Sequence, residues 1–322
     1  MVEDRRFIAL VFVVALAAGC SSKPEAAGST GVSGSLPAGA TAPPTAGTDS
    51  TAPGTATTAP NTVRITDDLS ASEIASQLTS LERAAAQGDG SAGQRQQLLY
   101  GYLSANSNLD VAVLEAVGAD VHPFIERIVR ARQLGQARSG ANTITTQPSE
   151  TLPAWRVVEP LPVDELLGDY NDAEAATGIP WYWLAAIHLQ ETRMGRIIGT
   201  SSAGAVGPMQ FLPETWSRCC VGDPTVARDA ILGAATYLLQ SGGNTDIQVA
   251  LQTYNPNEGY VATVTAFAEN MRDNPKLYNA YRDWQVFYSS AAGTVRLPIG
   301  YDQSQPVAAA VYVAEHPEDL AG

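Results

Sequence analysis

The stretch that decides the fold is Ile179-Pro180-Trp181-Tyr182-Trp183-Leu184-Ala185-Ala186-Ile187-His188-Leu189-Gln190-Glu191-Thr192. Pro180 suits the first position of a helix because its fixed φ angle matches helical backbone. Side chains three, four and seven positions apart share one face of a helix, so Leu184, Ile187 and Glu191 lie on the same side. The stretch therefore predicts a helix that carries one acidic side chain among apolar neighbours.

The expected surroundings of Glu191 predict a general acid. Burial disfavours the charged form of a carboxyl group, so it raises the pKa and keeps the group protonated near neutral pH. A protonated carboxyl is what proton donation to a glycosidic oxygen requires. The alternative is a glutamate at a helix end that forms an ion pair with Arg193 or Arg196.

A metal site at this helix is disfavoured. His188 and Glu191 stand three positions apart, which could place two ligands on one helix face. The chain has 3 histidines in all, and it lacks the His-Glu-x-x-His motif of zinc enzymes. We expect no metal ion here and interpret His188 as a buried neighbour of Glu191.

A glycine-rich loop and a second helical segment follow. The loop covers residues 199–207 and contains Gly199, Gly204 and Gly207. It lacks the Gly-Lys-Ser/Thr ending of a phosphate-binding loop. Its glycines let the backbone approach a ligand closely, and Gln210 just beyond offers both a hydrogen-bond donor and an acceptor. The loop therefore predicts a ligand-binding surface.

Three motifs in this region resemble the lytic transglycosylases with a lysozyme-like fold. They are Glu191-Thr192, then Ser201-x-x-Gly204-Ala205-x-Gly207-Pro208-Met209-Gln210-Phe211, and then Tyr254-Asn255 ahead of Tyr260-Val261. The second motif continues as Leu212-Pro213-x-Thr215-Trp216, which is closer to the membrane-bound B type than to the soluble type. The resemblance covers residues 163–271.

The resemblance implies an enzyme that acts on the glycan strands of peptidoglycan without a cofactor or a metal ion. Glu191 would protonate the oxygen between N-acetylmuramic acid and N-acetylglucosamine. It would then accept the proton of the muramoyl 6-hydroxyl, which closes a 1,6-anhydro ring. Substrate-binding residues carried over from the family are Ser201, Met209, Gln210, Tyr254 and Asn255. Ser202 is the alternative to Ser201, and the spacing to Gly204 favours Ser201.

Two other functions stay open on the sequence alone. One is a muramidase of the same fold, which hydrolyses the same bond and in its two-carboxylate form needs a second acid about 5–9.5 Å away. Asp223 and Asp229 are the nearby acids after the loop, and helix capping and solvation explain them better. The other is a cell-wall-binding lipoprotein without catalytic activity.

Residues 1–20 predict an export signal that ends at a lipid-attachment site. The apolar run 7–18 is too short to span a bilayer and suits the core of a signal peptide. Leu16-Ala17-Ala18-Gly19-Cys20 resembles a bacterial lipobox, which implies cleavage before Cys20 and lipidation of its thiol. An ordinary cleaved signal is the alternative. A lipidated protein would sit on the outer face of the cell membrane and act in the cell wall.

Composition divides the rest of the chain. Residues 21–62 are rich in Gly, Ser, Thr, Ala and Pro and predict a flexible, disordered linker. Residues 63–140 show helical periodicity and predict a small helical region of unknown role, and residues 141–154 predict a second linker. Residues 155–290 hold all 5 tryptophans and lack a long strand pattern, so we expect an all-α catalytic domain. Residues 291–322 are acidic and predict a loosely packed tail.

Charge and cysteine usage narrow the function classes. The 322-residue chain carries a formal net charge of −14. Nucleic acid is excluded as a partner, because phosphate backbones are bound by basic surfaces. Cys219 and Cys220 are adjacent and could close only a strained ring, so we expect two buried thiols. No motif indicates a protein partner.

Overall fold

The computed structural model describes residue 65, residues 68–141 and residues 148–321, and for residues 137–141 it describes the backbone alone. The predictions of an export signal, of lipidation at Cys20 and of the linker 21–62 lie outside the described residues. Residues 142–147 of the second predicted linker lie outside them too. Within the described ranges, no helix combines the length and the apolar character needed to cross a membrane.

The protein is mostly helical, as the sequence predicts, and its architecture is consistent with a lysozyme-like fold. The helices are α1 (Ala71–Ala86), α2 (Ala92–Ala105), α3 (Asp110–Ala116), α4 (His122–Ala141), α5 (Val163–Thr177), α6 (Trp181–Thr192), α7 (Pro213–Cys219), α8 (Ala227–Gln240), α9 (Ile247–Tyr254), α10 (Glu258–Asp273), α11 (Leu277–Arg282) and α12 (Ala309–Glu315). The strands are β1 (Thr151–Leu152), β2 (Arg156–Val157), β3 (Ile197–Ile198), β4 (Val286–Ser290), β5 (Gly293–Leu297) and β6 (Val307–Ala308). They form three antiparallel pairs: β1 with β6, β2 with β3, and β4 with β5.

Side-chain caps determine where α9 and α10 begin. Asp246 accepts hydrogen bonds from the backbone N–H groups of Gln248 and Val249 at the start of α9. Asn257 Oδ1 accepts one from Tyr260 N at 2.9 Å at the start of α10. Each cap satisfies a backbone donor that has no partner within the helix, and contributes about 1 kcal/mol. The α10 cap thereby fixes the helical register of Tyr260, which is 4% exposed.

The helical region α1–α4 and the later helices share one hydrophobic core. Buried side chains of both parts, such as Leu78 of α1 and Leu184 of α6, belong to the same cluster. A buried polar chain also joins them: Trp284 Nε1 donates to Gln96 Oε1 at 3.0 Å, and Gln96 Nε2 donates to Glu82 Oε1 at 2.6 Å. Burial raises the pKa of Glu82 to about 7. A continuous interior therefore connects the region of unknown role to the rest of the protein.

The prediction of a loosely packed tail at residues 291–322 is wrong for the described residues, which end at 321. The strands β4 and β5 form a hairpin, and Val295 and Leu297 on β5 are almost completely buried. The intervening Arg296 donates a hydrogen bond from Nη2 to Asp319 Oδ1 at 2.6 Å, and Tyr312 OH donates to Asp319 Oδ2 at 2.9 Å. The acidic composition of the segment led to the wrong prediction. Side chains alternate between the two faces of a strand, so a short strand can bury its apolar residues even when polar residues lie between them.

The prediction of a second linker at residues 141–154 is wrong for the C-terminal end of that segment. There β1 pairs with β6, and Leu152 has no exposed surface. Trp155 continues into the same small cluster, and its indole lies against Gly199 so closely that a Cβ there would overlap the ring. Trp155, just after this segment, therefore packs against the beginning of the glycine-rich loop.

The expectation of two free thiols at Cys219 and Cys220 is also wrong. Their sulfur atoms form a disulfide between adjacent residues. Helix α7 ends at Cys219, and Cys220 is extended with φ −134° and ψ 162°. Because the helical backbone stops between the two residues, their side chains can turn to the same side.

Candidate active site

Glu191 lies in the last turn of α6, inside the protein core. The residues from Trp183 to Thr192 are all buried, and Glu191 is 6% exposed. Tyr260 OH, from the first turn of α10, donates a hydrogen bond to Glu191 Oε1 at 2.7 Å. Burial raises the pKa of Glu191 to about 8, and the hydrogen bond from Tyr260 lowers it in part. The carboxyl group is therefore mostly protonated at neutral pH, as the helix pattern predicted.

The two arginines offered as ion-pair partners of Glu191 contact other groups. Arg196 Nη1 lies 3.4 Å from Glu159 Oε2. Arg193 Nη1 donates to the backbone oxygen of Leu189 at 2.7 Å. The Glu191 carboxyl instead accepts a hydrogen bond from the Tyr260 phenol of α10, which favours the general-acid interpretation over the ion pair.

The chain leaves α6 through a strained turn. Arg193 and Met194 both have left-handed backbone, with φ of 55° and 59°. This conformation costs a non-glycine residue about 1–3 kcal/mol and persists where the surrounding contacts enforce it, often at functional sites. One such contact is the hydrogen bond from Thr192 Oγ1 to Pro208 O at 2.6 Å. It connects the residue after Glu191 to the residue that follows the glycine-rich loop.

The loop is closed by two side chains, one within it and one just beyond it. Ser201 Oγ accepts a hydrogen bond from Ala205 N at 2.9 Å, and Gln210 Nε2 donates to Gly207 O at 2.9 Å. Gln210 is left-handed with φ 50°. Ser201 and Gln210 are buried, whereas Ser202 is exposed. Of the two candidate serines, Ser201 is thus the one that organises the loop, and a sugar contact by Ser201 or Gln210 stays a prediction.

The other predicted binding residues lie at the C-terminal end of α9 and just beyond the loop. Tyr254 OH donates to Met209 O at 2.6 Å. The ring of Tyr254 is stacked parallel to that of Tyr260, with centroids 6.5 Å apart. Asn255 Oδ1 accepts from Asn257 N at 3.1 Å, within the turn that leads into α10. Tyr254 therefore connects the loop to the phenol that binds the carboxyl group of the site.

His188 is a buried neighbour of the site, as predicted. Its Nδ1 forms a hydrogen bond of 2.7 Å with Tyr170 OH, and burial lowers its pKa to about 3, so the imidazole is neutral.

Among the described residues, one cluster of three side chains could hold a metal ion: His316, Glu318 and Asp319. Both carboxylate oxygens of Asp319 already accept hydrogen bonds from protein donors.

The two acids considered as a second carboxyl group lie where a turn leads into α8: Asp223 is in the turn and Asp229 is in the first turn of the helix. Asp223 Oδ1 accepts hydrogen bonds from Thr225 N at 2.8 Å and Thr225 Oγ1 at 2.7 Å. These hydrogen bonds lower the pKa of Asp223. Asp229 Oδ2 in turn accepts from Asp223 N at 2.9 Å. The capping interpretation of Asp223 is wrong, because α8 begins after Val226 without a side-chain cap. Both carboxylates instead accept hydrogen bonds that hold the turn before the helix.

Tyr260 is the site residue whose role the sequence did not indicate. It stands 69 positions from Glu191, so no local periodicity links the two. The available signal was its place in the third motif, shared with Tyr254 and Asn255. Burial, followed by the charge of Glu191, raises the pKa of Tyr260 well above its usual range, so the phenol stays a hydrogen-bond donor.

The fold and the site together define a mostly helical protein with a buried, protonated glutamate at the end of a core helix. The chain is similar to the membrane-bound lytic murein transglycosylase F of Thiobacillus denitrificans, with 27% identity over 150 residues. The match covers 44% of this chain and 32% of the relative, so the chain spans about a third of that protein's length. No protein-family model and no solved structure matches the chain. This distant similarity supports a relation to lytic transglycosylases, and the closer likeness to the B type stays a prediction.

Proposed function

We propose that the chain is a peptidoglycan lytic transglycosylase in which Glu191 acts first as an acid and then as a base. The observation that carries the proposal is the buried carboxyl group of Glu191, with a pKa of about 8 and a phenolic donor on one oxygen. The partial similarity to a lytic murein transglycosylase supports the substrate class. The proposal needs no cofactor and no metal ion.

The reaction balances with one carboxyl group. Glu191 gives its proton to the oxygen between N-acetylmuramic acid and N-acetylglucosamine, and the bond from that oxygen to the muramoyl C1 breaks. The muramoyl 6-hydroxyl oxygen then bonds to C1 and loses its proton to the Glu191 carboxylate. The product carries a 1,6-anhydro ring, water is not consumed, and Glu191 is restored to its protonated form. Tyr260 stabilises the carboxylate that exists between the two steps, because its phenol donates to Glu191 Oε1.

This route is favoured over two-carboxylate hydrolysis by the state of the neighbouring acids. Asp223 is exposed and Asp229 is half-buried, and each uses a carboxylate oxygen to hold the turn before α8, which supports a structural role for both. Ser201, Met209, Gln210, Tyr254 and Asn255 are assigned to sugar binding. Gln210 supports this assignment, since its strained backbone is maintained beside buried loop contacts, as is common at ligand sites.

The experiment that tests the proposed function is an analysis of product ends. The purified chain is incubated with peptidoglycan, and the released saccharides are examined by mass spectrometry. We expect muramoyl ends that are lighter by one water than reducing ends. Reducing ends would assign the chain to the muramidases, and binding without any release would leave a non-catalytic wall protein.

We further propose that the enzyme is exported and held on the outer face of the cell membrane by a lipid on Cys20. The lipobox-like sequence before Cys20 and the uncharged character of most of the linker support this placement. Tethering would supply the local concentration that a net charge of −14 cannot supply near an anionic wall. In cell fractionation we expect the wild type with the membranes and Cys20→Ser in the soluble fraction. Equal distribution of the two would contradict lipidation.

A further inference from the structure

Helix α4 of the region of unknown role runs antiparallel along α10, which carries Tyr260. Near the end of α10, Asn270 Nδ2 donates to Phe124 O at 3.0 Å, and Arg127 Nη1 donates to Asn270 Oδ1 at 3.0 Å. Arg127 also forms ion pairs with Glu269 (3.3 Å) and Asp273 (2.5 Å). These contacts fix the end of α10 that is far from the candidate active site.

At the other end, the two helices touch through glycines. A Cβ added to Gly259 would lie 2.8 Å from Gly135 Cα, which is closer than real Cβ atoms come to other atoms. A Cβ added to Gly135 would lie 3.9 Å from Gly259 Cα, which is ordinary contact. The crossing is therefore asymmetric: it requires a glycine at 259 on α10, whereas a methyl group at 135 on α4 would make only ordinary contact with Gly259 among the described residues.

Gly259 immediately precedes the residue that holds the acid. Tyr260 OH reaches Glu191 Oε1 at 2.7 Å, and its backbone N–H donates to the Asn257 cap at 2.9 Å. A Cβ on Gly259 would also lie 3.1 Å from Asn257 Oδ1. Any side chain at 259 would thus press on both the helix crossing and the cap, and would displace the first turn of α10.

We propose that α4 positions Tyr260 against Glu191 through the Gly135–Gly259 crossing, so that the helical region serves the acid of the active site. This inference rests on the proposed function for its consequence, but not for its geometry. Gly259 is a positioning residue, since it acts through the phenol of Tyr260.

The test compares Gly259→Ala with the matched variant Gly135→Ala and with Tyr260→Phe. Two readouts are taken: turnover of peptidoglycan, split into kcat and KM, and the titration of the Glu191 carboxyl group by carbon NMR, assigned with Glu191→Gln. For Gly259→Ala we expect kcat to fall by roughly 10- to 100-fold at nearly constant KM. We expect the Glu191 pKa to rise by about one unit, because a donor to the carboxylate is lost.

Tyr260→Phe should show the same upward titration shift, and Gly135→Ala should show neither effect. A Gly259→Ala protein that unfolds at lower temperature, but keeps the wild-type titration and kcat, would overturn the proposal. So would equal effects of the two alanine variants. If Gly259→Ala does not fold, Gly135→Leu presses on the same crossing from the α4 side and takes its place with the same expectations.

The two readouts separate this inference from the proposed function. A wild type without turnover, together with the expected titration shift in Gly259→Ala, would remove the enzyme function and keep the positioning role. Normal turnover of the wild type, without a titration shift in Gly259→Ala, would keep the enzyme function and remove the positioning role.

Discussion

Glu191→Gln is expected to reduce the turnover of peptidoglycan by about 1,000-fold or more, because general acid catalysis supplies up to about four orders of magnitude. The amide has the same shape as the carboxyl group and can still accept the hydrogen bond from Tyr260 OH. It cannot give up a proton to the glycosidic oxygen or accept one from the 6-hydroxyl. Both proposed steps are lost at once, while the packing of α6 is kept.

The matched control is Glu214→Gln. Glu214 lies in the first turn of α7, at the variable position of the continued second motif, and it is an exposed residue that pairs with exposed Arg218. We expect unchanged turnover in this variant. Release of saccharides by Glu191→Gln at the wild-type rate would exclude Glu191 from the mechanism.

The wild-type reaction should lose its rate as the pH rises through about 8. Glu191 must start protonated, and burial raises its pKa from 4.5 to about 8. Below this value the acid form dominates, and above it the carboxylate cannot donate. A rate that continues to increase to pH 9 would contradict the assignment of Glu191 as the acid.

The pH dependence of thermal stability should also report the protonation of Glu191. The folded-state pKa lies above the ordinary value of 4.5, so the folded protein binds the proton of Glu191 more tightly than the unfolded chain does. This contribution to stability is fully present below pH 4.5 and is lost as the pH rises to about 8. Glu82, with a pKa raised to about 7, acts in the same direction. Glu191→Gln should therefore show a smaller fall in Tm between pH 5 and pH 8 than the wild type, with the part from Glu82 retained.

The sequence was sufficient to predict the helix that carries Glu191, but it was not sufficient to predict the contacts of the Glu191 carboxyl group. Local periodicity predicted that Glu191 lies among apolar side chains of α6. Its burial has a broader cause, because every residue from Trp183 to Thr192 is buried and the helix is enclosed on all sides. Its bond to Tyr260 depends on how α6 and α10 cross, which is a tertiary property of residues 69 positions apart. The position of Gly259 against Gly135 is of the same kind, because a glycine chosen for close helix contact has no local pattern.

The C-terminal residues illustrate a different limit. Thr294-Val295-Arg296-Leu297 alternates in the way of a half-buried strand, but the segment is short, and its acidic surroundings favoured a loose tail. Packing was decided by partners distant in the chain, among them Leu152 and Trp155. The disulfide between Cys219 and Cys220 likewise depended on the exact end of α7, and helix boundaries are the least predictable part of a helix.

Gly207→Ala is expected to destabilise the protein by about 2–5 kcal/mol, the sum of a left-handed alanine and an overpacked contact. Gly207 has φ +76°, and a Cβ there would overlap the backbone oxygen of Pro224 and lie 2.7 Å from its carbonyl carbon. Because the obstacle is backbone, no change of rotamer can relieve it. The matched control is Gly204→Ala, where φ is +83° but no atom of the described neighbouring residues lies within 4 Å of the added Cβ. That variant should lose only about 1 kcal/mol.

Turnover should fall more than stability alone explains, because Gly207 begins a run of three backbone oxygens that side chains hold in place. Gln210 Nε2 donates to Gly207 O at 2.9 Å, Thr192 Oγ1 to Pro208 O at 2.6 Å, and Tyr254 OH to Met209 O at 2.6 Å. Displacing the first oxygen disturbs a predicted sugar-binding amide, the residue after Glu191 and the ring stacked on Tyr260. We therefore expect a loss of turnover of about 100-fold in Gly207→Ala at temperatures where it is folded, and less than about threefold in Gly204→Ala. Urea unfolding and turnover measured on both variants decide the point: equal losses would show that the left-handed backbone matters and that the hydrogen-bonded run of carbonyls does not.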